Sequence, residues 1–249
     1  MFFHEKSYDI DELMRHNMHI HTTFSGCAKP EMTAADIVKT AEECGLEIIA
    51  LTDHNYYPDR RNAVAKQRLE LIKQLEEIDY KIKVYVGAEL SAYGVGKFAD
   101  SIECDNSLDF RLYTTNHYHV GYWEHPEEIT PRAYAEHMLA IMNSVIDSGR
   151  ADCFAHPFMA GYIHAFPDKH DVTRAYTDNE IGDIMEKANK AEIAWELNTP
   201  AVLGDPEFYH RYFQIGKEVG VVFNIGTDAH LLSRIDPKQF ADRYKEILY

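Results

Sequence analysis

Gly45-Leu46-Glu47-Ile48-Ile49-Ala50-Leu51-Thr52-Asp53-His54 holds one complete joint of the fold. Gly45 stops a helix opened by Thr33-Ala34-Ala35-Asp36, which resembles a capping box; glycine enters the left-handed region at no steric cost. Ile48 to Leu51 is apolar at every position and too short for a helix, the pattern of a strand buried on both faces. The strand, read from Glu47 to Thr52, runs into Thr52-Asp53-His54, side chains suited to binding rather than packing.

The same joint recurs in both directions. A polar leader over residues 1–16 precedes a first strand from Asn17 to His21, and a loop runs on through Met32. Beyond His54, a turn at Tyr57-Pro58-Asp59 leads to a long helix ending near Asp79. Further strands are expected at Lys83 to Glu89, Leu108 to His117, Asp152 to Ala155, Ile193 to Leu197 and Val221 to Ile225. Helices are expected from Thr130-Pro131 to Gly149, from Thr177 and Asp178 to Lys190, from Pro206 to Gly220, and from Pro237 onward. Leu90 to Asn106 reads as a loop with room for a strand. Pro157 to Tyr176 is a long irregular segment of the kind used as a lid or binding loop. Strands alternating with helices imply a parallel sheet. Seven such units, with ligand-type residues spread over the strand ends, favour closure into an α/β barrel over residues 1–249. Such barrels place their chemistry at the C-terminal ends of the strands.

Composition narrows the function. Apolar residues make up 45% of the 249, enough for a large core, and no apolar run is long enough to span a bilayer. The N-terminus lacks a basic region followed by an apolar one, so a cytoplasmic location is expected. The formal charge of −16 argues against a nucleic-acid polymer as partner and favours a small substrate. The four cysteines, Cys27, Cys44, Cys104 and Cys153, lack the spacing of a zinc ribbon or redox pair. Three are expected to pack, while Cys27 is open to a further role.

The strand ends carry the chemistry. His19 and His21, two positions apart on a strand, project from one face and can reach one ion. His54, Glu89, His117, His156, Asp228 and His230 occupy corresponding positions downstream. Any single histidine there is as readily a loop cap, but the joint pattern is that of a metal centre. Imidazoles with a few carboxylates suit zinc, manganese or iron, and eight groups exceed the needs of one tetrahedral ion. Two or three divalent ions are therefore expected.

His19-Ile20-His21-Thr22-Thr23-Phe24-Ser25, Ile49-Ala50-Leu51-Thr52-Asp53-His54, Gly87-Ala88-Glu89, Ala155-His156-Pro157 and Gly226-Thr227-Asp228-Ala229-His230, taken in order, resemble the motifs of the polymerase and histidinol phosphatase (PHP) family of metal-dependent phosphoesterases. The resemblance implies a distorted seven-stranded β/α barrel. It implies that His19, His21, Glu89 and Asp228 hold one ion, that Glu89 bridges to a second held by His117 and His156, and that His54 and His230 serve a third. His119 competes with His117, both being read onto one strand face, and His117 is preferred. Asp53 is expected to orient an imidazole, while Glu196 and Asn198, at the end of the sixth strand, are open between a similar part and ordinary structural hydrogen bonding. The chain departs from the family at Asn17, where an acidic residue is frequent, and at Gly26-Cys27, where an Asp or His is usual. Cys27 is read as a plain loop residue in preference to a thiolate ligand.

The function implied is hydrolysis of a small phosphorylated substrate by a metal-activated hydroxide, two ions serving entering and leaving oxygens. Glu89, Asp228 and His230 are the expected catalytic residues, and Lys29 and His119 the expected substrate contacts. Histidinol phosphate phosphatase activity, or an inactive metal-bound binding module, is the alternative. Oligomeric state is left open.

Overall fold

The computed structural model describes residues 2–55 and 63–249, so the turn expected at Tyr57-Pro58-Asp59 lies outside the described residues. Its centre is a parallel sheet of β1 (His16–Ile20), β2 (Ile48–Asn55), β3 (Lys83–Gly94), β5 (Phe110–Thr114), β6 (Cys153–Phe154), β7 (Ala194–Asn198) and β8 (Phe223–Gly226), neighbours in that order; β4 (Lys97–Phe98) pairs antiparallel with β3. Past β8 the chain returns to the first strand: Ile20 and Ala229 form a parallel bridge, with His21 N donating to Ala229 O at 3.0 Å and Ala229 N to His19 O at 3.3 Å. These bonds close a seven-stranded barrel. The closure is irregular, because β6 has two residues and the β1–β2 register shifts between Asn17 and Ile20.

The departure at Asn17 has a structural reason. Its amide nitrogen donates to Thr227 Oγ1 (2.6 Å) and Ile235 O (2.8 Å), while its oxygen accepts from Thr227 N (3.1 Å) and His19 N (3.2 Å). A buried amide both donates and accepts across this seam; a carboxylate only accepts.

Inside the barrel, Met18, Ala50, Phe110, Leu112, Cys153, Ala155, Ala194 and Val222 form a small apolar cluster. The leader is part of this packing. Phe3 sets its ring edge-on against Tyr85 and Phe110, 4.8 and 5.0 Å between centroids, and residues Ile10–Leu13 form a short helix. One outer core packs the helices Ala34–Glu43 and Ala63–Glu76 on β1–β3. A larger one packs Pro131–Ser148, Asp178–Lys190, Pro206–Val219 and Ala241–Leu248 on the remaining strands.

Helix termini follow the expected chemistry: Thr33 accepts from Asp36 N, Thr130 precedes a proline at the first helical position, and Thr177 and Glu180 complete a capping box. Strand ends deviate more. β3 runs on to Gly94 because the Lys97–Phe98 hairpin supplies it with a partner, and Ser101 caps a short helix, Ile102–Asp105, in the segment read as loop. β5 stops at Thr114, short of the expected His117, where Asn116 turns the chain with its side chain. No described helix is long and apolar enough to cross a membrane. Cys104 and Cys153 are buried and Cys44 is partly so, whereas Cys27 is exposed.

Candidate metal centre

Three groups of side chains converge at the C-terminal mouth of the barrel: His19, His21 and Asp228; Glu89, His117 and His156; and His21, His54 and His230. Parallel registry puts His54 of β2 beside Glu89 of β3. His19, His21, Glu89, His117 and His156 are all buried. Ionisable groups hidden this completely require mutual compensation.

The first group leaves little choice about its protons. His19 Nδ1 donates to Glu196 Oε1 at 2.8 Å. Ser25 gives its one hydroxyl proton to Asp53 Oδ1 (2.6 Å), so His21 Nδ1, 3.1 Å from that hydroxyl oxygen, must be the donor. In the neutral rings both Nε2 atoms then carry lone pairs, yet they face each other at 3.0 Å, with Asp228 Oδ1 2.9 Å from His21 Nε2 and 3.5 Å from His19 Nε2. Glu89 Oε2 is 3.7 and 3.9 Å from the same two nitrogens. Only acceptors meet here, so a proton or a metal cation must lie between them, and the donor set fits a divalent ion.

The second group repeats the logic. Asn116 Nδ2 donates to His156 O (2.7 Å), which orients its Oδ1 to accept from His156 Nδ1 (3.0 Å). His156 Nε2 is thereby turned toward Glu89 Oε1 at 2.9 Å, with His117 Nε2 at 3.5 Å from the same oxygen. The other oxygen of Glu89 lies 2.5 Å from His54 Nδ1, so its carboxylate is divided between groups. His156 and Asp228 have positive φ, 30° and 54°, conformations that non-glycine residues adopt at a cost and that cluster at functional sites.

Burial opposes every charge in this cluster, and the directions that survive it show which charges the surroundings hold. Burial raises Glu89, but His54 and His117 more than offset it, leaving the carboxyl well below its usual range. Asp228 is likewise held low, chiefly by His19 and His21. Burial lowers His54, yet Glu89 and Cys27 bring it to about 10. His19 is raised well above its ordinary value by Glu196 and Asp228. Burial and the charge of His54 take His21 down to about 3. Two carboxylates are thus balanced by protons on neighbouring imidazoles, a balance that divalent cations supply equally well.

At the third group, His230 stacks on His21 (centroids 4.1 Å apart) and its Nδ1 lies 2.8 Å from Asp228 O, which only a protonated Nδ1 can satisfy. Burial pushes the Cys27 thiol up, but the imidazoles of His230 and His54 bring it down to about 6.

His119 is not strand-borne beside His117. Both follow the end of β5, and His119 is exposed with its ring 5.4 Å from that of His117. Lys29 is exposed and meets the mouth through its backbone N, 2.9 Å from His230 O. Asp53 reaches His21 only through Ser25, and it also fixes the loop by accepting from Thr22 N and Oγ1. Glu196 holds His19 and accepts from His156 N, and Asn198 donates to Glu196.

Two site-facing residues escaped the sequence reading: Ser25, quoted only as part of a motif, and Tyr162. The Tyr162 ring lies 4.3 Å from His119, 5.1 Å from His117 and 6.3 Å from His156. The length of the segment from Pro157 to Tyr176 was the available signal. Of the histidines and arginine in the mouth loops, His125 bonds Tyr134, His170 bonds Gly204 O and Arg174 pairs with Asp168, whereas His164 is an electrostatic neighbour of His119.

Close packing beneath the first group yields a test. A Cβ on Gly226 would fall 1.7 Å from Glu196 Oε1 and 2.8 Å from His19 Cβ. Gly226→Ala is expected to dislodge Glu196 from His19, weakening metal affinity about 10- to 100-fold, and to cost about 1–3 kcal/mol of stability. Metal titration and thermal melting check both; unchanged affinity would exclude an orienting role for Glu196.

The PHP domain family model matches residues 17–200. A curated protein of Aliivibrio fischeri named "Probable phosphatase" is 26% identical over 223 residues, covering 87% of this chain and 78% of its own. The Bacillus subtilis "DNA polymerase/3'-5' exonuclease PolX" is 24% identical over 230 residues, covering 88% of this chain but 35% of its own. Among solved structures, histidinol phosphate phosphatase of Lactococcus lactis, complexed with zinc, L-histidinol and phosphate, superposes with a TM-score of 0.64 at 19% identity, covering 94% and 92% of the two chains.

Proposed function

Since the chain belongs to the PHP domain family, we propose that it is a divalent-metal-dependent phosphoesterase acting on a small phosphorylated molecule. The observation that carries the reading is the meeting of His19 and His21 Nε2 at 3.0 Å beside Asp228, with both outer nitrogens already committed as donors. Two or three ions of zinc, manganese or iron suit the imidazole and carboxylate donors. His19, His21, Glu89 and Asp228 would hold one, Glu89, His117 and His156 a second, and His54 and His230 would contribute to a third. Such ions lower the pKa of water and offset charge on a phosphoryl group.

The chain's own residues do the positioning. Glu196 and Asn116 fix the tautomers of His19 and His156, so their free nitrogens face inward without reorganisation. Glu89 and Asp228 set the spacing of the groups, and His230 is held by Asp228 O. Lys29 and His119 are assigned to the substrate side of the mouth. Tyr162 belongs with them: burial, then the charges of Asp228 and Glu89, keep its hydroxyl protonated and therefore a donor toward a phosphoryl oxygen. Tyr162→Phe is expected to lower kcat about tenfold, or ~1.4 kcal/mol, at unchanged metal content. An unaltered kcat would remove Tyr162 from the reaction.

The function is tested by screening phosphomonoesters and phosphodiesters with manganese- and zinc-loaded protein. Hydrolysis that depends on added metal is expected. Failure to hydrolyse any compound at full metal occupancy would leave a metal-bound binding module in its place.

A further inference from the structure

His156 lies in a turn that the sheet does little to hold. β6 ends at Phe154, and beyond it one bond, from Ala155 N to Tyr113 O at 2.9 Å, continues the ladder. The chain then leaves strand geometry: φ is 30° at His156 and 65° at Phe158, both in the left-handed region. Pro157, between them, has no N–H to give. Residues other than glycine keep such conformations only where the surroundings fix them.

Three side chains do the fixing. Glu196 of β7 accepts from His156 N, and Asn116, in the turn after β5, donates to His156 O. The third comes from outside the barrel. Tyr209, on the helix Pro206–Val219, donates its hydroxyl to Pro157 O at 2.7 Å. Pro157 and Tyr209 are both buried, so solvent cannot replace this bond, and a buried carbonyl that loses its donor carries the full cost of its desolvation. The phenol has little freedom of its own: its ring lies 5.3 Å from that of Phe208 and 5.4 Å from that of Tyr212. At the next residue of the turn, Phe158 stacks on Trp195, 5.8 Å between centroids. Held in this way, His156 presents its Nε2 to Glu89 Oε1 at 2.9 Å.

We infer that Tyr209 is a positioning residue for the second metal position: by holding Pro157 O it keeps His156 in the conformation that turns Nε2 toward the ion shared with Glu89 and His117. The inference rests on the metal-dependent reading above and adds to it a residue that acts through the backbone.

Tyr209→Phe removes the donor and keeps the ring. Zinc or manganese titration is expected to show the second ion weakened about 10- to 100-fold, with the first unchanged. In His117→Ala, which already lacks a ligand of that position, adding Tyr209→Phe should weaken no further ion, because both substitutions act on one site. Hydrogen exchange read by mass spectrometry should quicken over the peptide from Ala155 to Ala160. Tyr176→Phe controls for the loss of any buried phenol: the Tyr176 hydroxyl reaches Met138 Sδ at 3.3 Å, so its removal should lower Tm without moving either affinity. 4-Aminophenylalanine at position 209 keeps a donor and should restore the second ion, whether or not Tyr209→Phe folds. Unchanged second-ion affinity in folded Tyr209→Phe, an equal loss of both ions, or failure of the 4-aminophenylalanine rescue would overturn the inference. A wild type whose second ion depends on Tyr209 but which hydrolyses nothing would instead overturn the phosphoesterase reading and leave the positioning role standing.

Discussion

Glu89→Gln is expected to abolish phosphoester hydrolysis, by about a thousandfold or more, equivalent to ~4 kcal/mol of transition-state stabilisation. The two Glu89 oxygens face different groups: Oε1 lies 2.9 Å from His156 Nε2, and Oε2 lies 2.5 Å from His54 Nδ1. An anion shared in this way can hold two cations at short range. Glutamine keeps the shape but removes the charge and turns one of the two positions into a donor, so two ions there would repel without compensation. The circular dichroism spectrum should be unchanged, because Glu89 contributes to the mouth and not to the apolar clusters. Most of the activity surviving at unchanged metal content would show that Glu89 does not bridge.

Exhaustive chelation is expected to have the next largest effect. Protein purified without chelators should carry at least two transition-metal ions per chain by elemental analysis, and stripping should abolish hydrolysis until manganese or zinc is restored. Stability should fall as well. An ion present at a thousandfold its dissociation constant contributes ~4 kcal/mol, so Tm is expected to drop by roughly 10 °C. The physical cause is visible at His19 and His21, whose facing Nε2 atoms and nearby carboxylates must recruit protons or move apart once the cation leaves. A metal content near zero that added manganese or zinc cannot raise would refute the metal centre itself.

Several elements were legible because local chemistry and burial agree there. The apolar run from Ile48 to Leu51, the proline after Thr130, the capping pair Thr177 and Glu180, and the left-handed Gly45, Gly149 and Gly220 all act over a few residues. Misjudged lengths arose where a distant partner decided. β3 extends to Gly94 because the hairpin returns to pair with it, and β5 ends early because Asn116 reaches His156 in another loop. The anchoring contacts of the polar leader, Phe3 on Tyr85 and Phe110, join residues far apart in the chain and leave no local signal.

The sequence by itself determined that buried strands alternate with helices, that the strands carry imidazoles and carboxylates at their ends, and that the order of these motifs is that of the PHP family. Period, caps and residue type are local properties, readable one segment at a time. Tertiary structure alone decided how those groups share space: that Ile20 and Ala229 close the barrel, that Glu89 divides its oxygens, and that His117 rather than His119 approaches it. Each of these depends on the position of one strand end relative to another across the barrel. That position is set by parallel register and by the side chains filling the interior, neither of which any single segment encodes.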